Sequence, residues 1–203
     1  MDRKELKAQA KAQLKGKIGI LILVTIIIGA ISALASTLAI FIPFGGIIVA
    51  IIVTPAFVLS TSRIYLMVVR GGTPEAKDSF SGFDDFFSAF KVTFLVGIYT
   101  FLWSLLFIIP GIVKGYSYSM SMFVLADNKG MSARECIAES KKMTDGHKGE
   151  LFVLDLSFIG WYLLSCLTCG IAMLYVAPLV SATHANAYEA LKPVVEVPFE
   201  TAE

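Results

Sequence analysis

The chain has little charge and few of the residues that carry catalytic or metal chemistry. Of its 203 residues, 16% are Asp, Glu, Lys or Arg, and the formal net charge is +1. A soluble domain has about 25% charged residues, so this chain lacks the polar surface of an ordinary water-soluble globule. The low net charge excludes the unopposed basic surface that binds nucleic acid. The hydrophobic fraction of 56% excludes a disordered chain.

Recognisable catalytic motifs are also lacking. The sequence contains neither H-E-x-x-H nor G-x-S-x-G, and Gly146-His147-Lys148 lacks the spacing of a phosphate-binding loop. Cys166 and Cys169 form a C-x-x-C pair, but no second Cys or His pair lies nearby to complete a zinc site. We therefore expect no enzyme activity, no metal and no cofactor. The two cysteines either fill a tight turn as small residues or form a disulfide there.

Long hydrophobic runs dominate the sequence, and its mean hydropathy is +0.75. A transmembrane helix needs about 20 mostly apolar residues. Six segments reach or approach this length: Ile18–Ile42, Gly46–Val69, Val92–Ile109, Gly111–Ala126, Leu151–Leu167 and Ile171–Tyr188. The sequence therefore predicts an all-α, polytopic membrane protein with six transmembrane helices in one integral membrane domain, 1–203.

Short turns rich in Pro and Gly separate these runs in pairs. Both residue types interrupt helices, Pro through its missing N–H and Gly through its backbone freedom. The turns are Pro43-Phe44-Gly45, Pro110-Gly111 and Thr168-Cys169-Gly170. They predict three helical hairpins, over 18–69, 92–126 and 151–188. In the middle pair, Pro110 alternatively kinks one long helix, because its 16-residue second half reaches only about 24 Å.

The distribution of basic residues predicts the orientation. The three turns carry no charge, whereas Lys and Arg concentrate in 1–17, 63–91 and 129–148. Because basic segments stay in the cytoplasm, both termini, including the tail 189–203, are expected there. Lys114 departs from this pattern. We expect it to reach the outer headgroups, in the leaflet opposite Asp155.

A polar or amphipathic stretch precedes each hairpin. The first is the basic N-terminal helix 1–17, and the second is 80–91, whose aromatic residues at i, i+3, i+4 and i+7 predict an interfacial helix. The third, 132–144, begins with a capping box of Ser132 and Glu135 and predicts another interfacial helix. These stretches suggest a threefold repeat, although apolar composition alone produces similar patterns. Five lysines in or just after these stretches are predicted to contact lipid headgroups: Lys17, Lys91, Lys141, Lys142 and Lys148.

Asp155 is a charged residue within the fifth hydrophobic run. Charged residues inside a membrane are rare and usually paired. Arg63 and His184 also lie toward the cytoplasmic ends of their runs, so either can neutralise Asp155. Tyr116 and Ser119 make the fourth run polar and are expected to face protein or water. These five residues form the candidate intramembrane polar site, which is either a proton or ion relay or a set of contacts between helices.

Several segments resemble a bacterial multi-pass membrane family catalogued as domain of unknown function 975. The resemblance covers most of the chain and is carried by residues 101–112, Tyr116-Ser117-Tyr118-Ser119-Met120, Leu125-Ala126-Asp127-Asn128, Ser140-Lys141-Lys142-Met143, Gly146-His147-Lys148, residues 151–161 and Arg3-Lys4-Glu5-Leu6-Lys7. It implies a multi-pass protein of the bacterial inner membrane. It implies no chemistry, because the family has no assigned activity.

Two functions fit these observations. The first is a non-enzymatic scaffold or accessory protein for export or envelope homeostasis. It predicts packed helices, no polar cavity and a stable membrane protein partner. The second is a small transporter or channel, for example as a homo-oligomer, with a polar, water-filled cavity in the helix bundle lined by residues of the candidate polar site. The short turns and the scarcity of buried charge favour the first. For either function, we expect the lipid bilayer to surround the helices and no nucleic acid to bind.

Overall fold

The computed structural model describes residues 3–41, 45–106, 108–168 and 170–192. Within these ranges, the chain is all-helical and contains no strand. The predicted turn residues Pro43, Phe44 and Cys169, and the tail beyond Lys192, lie outside them. Four helical segments are long and apolar enough to cross a membrane: Ile18–Ala39, Ile51–Val69, Phe86–Leu105 and Lys148–Leu167.

Ten α-helices account for most of the described residues. They are α1 (Arg3–Leu14), α2 (Ile18–Ala39), α3 (Gly45–Val69), α4 (Phe86–Leu106), α5 (Ile108–Tyr118), α6 (Ser121–Asp127), α7 (Ala133–Met143), α8 (Lys148–Leu156), α9 (Ile159–Leu167) and α10 (Met173–Leu191). A short 3-10 helix, Ala76–Phe80, lies between α3 and α4.

The basic helix α1 is amphipathic and packs against α10. Leu6, Ala10 and Leu14 are buried at a spacing of four residues, which places them on one face of the helix. The Lys and Arg side chains occupy the remaining faces. The N-terminal segment is therefore part of the helical core as well as a source of positive charge.

Two pairs of neighbouring helices run antiparallel. In the first pair, Lys17 precedes α2, and its Nζ donates to the carbonyl oxygens of Gly71 and Gly72, just beyond α3, at 3.0 and 2.7 Å. In the last pair, the rings of Trp161 on α9 and Tyr175 on α10 lie 6.3 Å apart. The first contact brings the start of α2 beside the end of α3, and the second joins α9 and α10 on either side of the turn between them.

Helices α4 and α5 also turn back on one another and approach closely. A Cβ on Gly111 would lie 2.9 Å from the Cα of Ser104, so a larger residue would not fit without movement. Further from the turn, the rings of Tyr99 and Tyr118 lie 6.1 Å apart. This geometry is incompatible with one kinked helix through 92–126.

The chain reverses before Pro110, not at it as the sequence predicts. Helix α4 ends at Leu106 and α5 begins at Ile108, so Pro110 lies in the first turn of α5. Proline is accepted there because the first N–H groups of a helix have no partner within the helix.

The fourth and fifth hydrophobic runs are each broken into two helices. Helix α5 ends at Tyr118, and α8 ends at Leu156; α6 and α9 follow after two residues each. Serine hydroxyls bond to the backbone at both breaks. Ser119 Oγ donates to the Tyr116 carbonyl at 2.9 Å, and Ser157 Oγ donates to the Leu154 carbonyl. Such bonds compete with helical bonding and bend helices.

The predicted interfacial helix over 80–91 is wrong for its first half. Residues 81–85 form turns, and 86–91 are the first turns of α4. The cause is Gly82, which packs on the backbone of α3. Its N–H donates to Ser60 Oγ at 2.8 Å, and a Cβ would lie 1.9 Å from the Ala56 carbonyl oxygen. The rings of Phe57 and Phe83, 5.4 Å apart, pack beside this contact.

Large apolar side chains are exposed on the outer faces of α2, α4 and α9. The most exposed include Leu34, Leu38, Phe101, Leu105, Leu163 and Leu167. Burying such side chains in lipid removes them from water, whereas a soluble monomer rarely exposes large contiguous apolar patches. The distribution is that of a surface that faces lipid.

Candidate functional site

Three helices meet at Asp155. Tyr116 on α5 donates its hydroxyl to Asp155 Oδ2 at 2.9 Å. His184 Nε2 on α10 lies 2.7 Å from Asp155 Oδ1. Both carboxylate oxygens are therefore engaged by side chains of other helices. We call Tyr116, Asp155 and His184 the Asp155 cluster.

The Asp155 cluster lies beside the break between α8 and α9. Lys7 of α1 reaches this break, where its Nζ donates to the Ser157 carbonyl at 3.1 Å. The same Nζ lies 3.9 Å from the centroid of the Phe158 ring. Burial and the nearby charge of Arg3 lower the pKa of Lys7. A cation from the basic N-terminal helix thus binds a carbonyl that the helix break leaves free.

Two residues of the predicted polar site lie outside this cluster. Arg63 bonds instead to the carboxylate of Asp85 and to the carbonyl of Ser81. The segment before α4 folds back along α3 and supplies both groups, which the sequence pattern did not indicate. Ser119 is exposed and bonds to the carbonyl of Tyr116. Of the five predicted residues, the structure brings together Asp155, His184 and Tyr116.

A second charged cluster lies at the ends of α3, α6 and α10. Asp127 is 9% exposed and binds Arg70 Nη1 at 2.7 Å and Lys192 Nζ at 2.5 Å. The Tyr188 hydroxyl donates to the same carboxylate at 3.1 Å. Arg70 also pairs with Glu189 at 2.7 Å. We call these five residues the Asp127 network.

The environment of Asp127 strongly favours its charged form. Burial opposes ionisation, but hydrogen bonds from Arg70, Lys192 and Tyr188 lower the pKa of Asp127 to about 2. The same hydrogen bond to Asp127 raises the pKa of Arg70. Sequence reasoning missed this network. Its members are spread over 70–192, and the one available signal was the place of Asp127 in a segment that resembles the family.

The five lysines predicted to contact headgroups differ in their surroundings. Lys17 binds two backbone carbonyls, Lys142 pairs with Glu139 at 3.5 Å, and Lys148 pairs with Asp145 at 3.1 Å. Lys91 and Lys141 are exposed, and neither forms an ion pair within the described ranges.

Lys114 lies closer to Asp155 than the sequence predicts. It is two residues from Tyr116, which bonds to Asp155, so the two charged residues lie at similar depth. Its Nζ lies 4.8 Å from the centroid of the Trp103 ring. Lys148 lowers the pKa of Asp145, and the more distant Lys114 also contributes. The side of the membrane on which Lys114 lies stays a prediction.

Metal-binding groups and cavities give no further support for chemistry at the Asp155 cluster. In the part of the chain that the structure describes, no three His, Cys, Asp or Glu side chains come together to hold a metal ion. Cys166 is exposed, and its predicted partner Cys169 lies outside the described residues. Neither Asp155 nor His184 lines any of five well-formed cavities among the described residues. One of about 310 Å³ is lined by Tyr116 and Ser119.

These features define an all-helical protein with several helices apolar enough to span a membrane and with its main charges paired between helices. The chain belongs to the family described as protein of unknown function DUF975, which matches residues 1–114 and 106–194. No curated protein matches the chain, and no solved structure does so.

Proposed function

We propose that this protein is a non-enzymatic scaffold or accessory protein of the bacterial cell membrane, serving export or envelope homeostasis. The observation that carries this proposal is the internal pairing of charges. Asp155, Arg63 and Asp127 each bind partners within the chain. A transport site keeps ligand-binding groups available to a cavity, whereas paired charges hold helices together. The exposed apolar faces on the outside of the helices are available to contact lipid and other membrane proteins.

The proposed topology has six spans, with both termini in the cytoplasm. The antiparallel pairs α2–α3 and α9–α10 support two of the predicted hairpins. In the middle pair, α5 has 11 residues and extends about 16 Å. That is shorter than a bilayer core of about 30 Å. We therefore infer that α5 and α6 together form the fourth span, and α8 and α9 together the fifth.

Cysteine labelling tests this topology at the turn between α4 and α5. In a background without Cys136, Cys166 and Cys169, a single cysteine replaces Ile109, which is 74% exposed. We expect labelling by an impermeant thiol reagent in intact cells, and a control with Lys15→Cys, at an exposed residue of the basic N-terminal segment, should label only after lysis. Labelling of Ile109→Cys only after lysis would show that the middle pair enters and leaves on the cytoplasmic side.

The accessory role is tested with the protein purified from its own host in mild detergent. Native mass spectrometry should show a second membrane polypeptide at fixed ratio. The matched control is the Asp127→Asn variant, whose loosened helix ends should reduce the amount of complex while the chain remains in the membrane. A lone monomer or a homo-oligomer at every detergent concentration would contradict the accessory role.

The Asp155 cluster favours a second candidate, a small transporter. Discontinuous helices mark the binding sites of many transporters, and the cluster lies beside the breaks after α5 and α8. In proteoliposomes, a transporter would show a pH-dependent proton flux that Asp155→Asn abolishes. Asp84→Asn, at an exposed aspartate, is the matched control. If Asp155→Asn abolished this flux and Asp84→Asn did not, we would replace the accessory role with a transport function.

A further inference from the structure

A groove separates helix α7 from α4 and α5. Its volume is about 360 Å³, and its lining includes Arg134 and Lys141 from α7 and the aromatic residues Tyr99, Trp103 and Tyr118. Ile137 and Ala138 complete the lining. No acidic residue contributes to it among the described residues. We call this cavity the α7 groove.

The sequence of α7 points two cations into the groove. Arg134, Ala138 and Lys141 are spaced at i, i+4 and i+7, which places them on one face of the helix. Within the described ranges, neither Arg134 nor Lys141 forms an ion pair. The next residue, Lys142, lies outside the groove lining and pairs with Glu139 at 3.5 Å. The positive charge of the groove is therefore not balanced by its own lining.

The opposite wall belongs to the lipid-facing surface of α4. Trp103 is 39% exposed, and its neighbours Leu102 and Leu105 are 50% and 73% exposed. Trp and Tyr prefer the region of the headgroups, where an apolar ring and a polar group are both satisfied. The groove thus joins a charged surface to an apolar one. A ligand that fits both has an anionic head and an apolar tail.

We propose that the α7 groove binds an anionic phospholipid. Arg134 and Lys141 hold its phosphate group, and its acyl chains lie along α4. A guanidinium matches the geometry of phosphate oxygens, and basic pockets between helices are suited to anionic headgroups. The inference does not depend on the accessory role, because it rests on the groove alone. The proposal is more specific than the predicted contact of Lys141 with lipid headgroups, because it also requires Arg134 and the aromatic residues of the groove.

Tryptophan fluorescence tests the proposal directly, because the chain has two Trp residues. Trp161→Phe leaves Trp103 as the sole fluorophore. The full chain is reconstituted in phosphatidylcholine vesicles that contain a minor fraction of phosphatidylglycerol, with brominated, quenching acyl chains on one lipid or the other. Brominated phosphatidylglycerol is expected to quench Trp103 several-fold more strongly than brominated phosphatidylcholine at equal mole fraction. Equal quenching would overturn the proposal.

Matched variants separate a specific site from general surface charge. Arg134→Gln and Lys141→Gln should each lower the relative binding constant for phosphatidylglycerol about fivefold. Lys142→Gln removes the same charge one residue away and should leave the constant unchanged. An equal loss in Lys142→Gln would reduce the effect to surface potential. Retained helical circular dichroism identifies variants that are folded.

Two further arms fix the position and the source of the phosphate group. Trp103→Phe, which leaves Trp161, should show no preference between the two brominated lipids. Excess inorganic phosphate, compared with sulfate at equal ionic strength, should leave the quenching of Trp103 unchanged. Loss of the preference in phosphate alone would show that the groove takes free phosphate rather than a lipid.

Discussion

Asp127 and Asp155 each connect three parts of the chain, but different kinds of donor hold them. Asp127 is 9% exposed and binds Arg70 and Lys192, whose charges persist at neutral pH. The side chain of Asp155 is 36% exposed and binds His184, which is charged only when protonated, and the neutral Tyr116. Asp127 is therefore held by two permanent cations, whereas Asp155 is held by a neutral hydroxyl and by a histidine without a permanent charge.

The two clusters also differ in position. The Asp127 network joins the ends of α3, α6 and α10, where the helices leave the apolar region. The Asp155 cluster joins α5, α8 and α10 next to two helix breaks and is partly exposed. We infer that the Asp127 network fixes the arrangement of the helices, whereas the Asp155 cluster makes a weaker connection between them. Four experiments test this difference.

The largest effect is expected from Asp127→Asn. The change leaves Arg70 and Lys192 without their carboxylate, and removing one partner from a buried ion pair costs about 3–5 kcal/mol. Since both cations are partly exposed, we expect a loss near the lower end, about 3 kcal/mol, in the free energy of unfolding in mild detergent. Asp84→Asn, at an exposed aspartate, is the control. Equal losses in the two variants would show that the network is not structural.

Acid should weaken the Asp127 network in a defined range of pH. The pKa of Asp127 is about 2 in the folded chain, below the value of about 4 in an unfolded one. Its stabilising contribution is therefore complete above pH 4 and is lost as the pH falls toward 2. The expected loss is about 2 kcal/mol for the unmodified chain relative to Asp127→Asn. A stability difference between the two that stays constant from pH 6 to pH 2 would contradict the assignment.

The pairing of Asp155 with His184 could be predicted from the positions of the two residues within their hydrophobic runs. Both residues lie a few positions inside the cytoplasmic ends of adjacent runs, so antiparallel packing brings them together. Arg63 satisfies the same depth criterion but pairs with Asp85. The reason is that residues 76–85 fold back along α3, where Gly82 packs on the helix backbone and Asp85 reaches Arg63. No pattern of charge or hydropathy predicts this close packing.

Local helix signals were readable in the sequence, whereas the helix breaks were not. The capping box of Ser132 and Glu135 is confirmed at the start of α7. The breaks after Tyr118 and Leu156 depend on serine hydroxyls bonding to the backbone, and serines occur in unbroken helices as well. The Asp127 network depends on contacts between residues more than 50 positions apart. Periodicity within one helix contains no information about such contacts.

A double-mutant cycle measures the weaker connection, between Asp155 and His184. Because the two side chains lie 2.7 Å apart, we expect Asp155→Asn and His184→Gln to be coupled by about 1 kcal/mol. The control cycle combines Asp155→Asn with Arg63→Gln, and its coupling should be close to zero. Coupling to Arg63 in place of His184 would restore the pairing that depth alone also allowed.

The smallest effect is expected from Lys7→Met, at the break beside the Asp155 cluster. Methionine keeps an apolar stem but loses the bond to the Ser157 carbonyl and the contact with the Phe158 ring. Each contributes about 0.5–1 kcal/mol where partly exposed. We expect a total loss of about 1 kcal/mol in the free energy of unfolding, with Lys11→Met on the exposed side of α1 as control. If the loss equalled that of Asp127→Asn, the region around Asp155 would also depend on a permanent cation. The two clusters would then not differ in whether a permanent cation holds them.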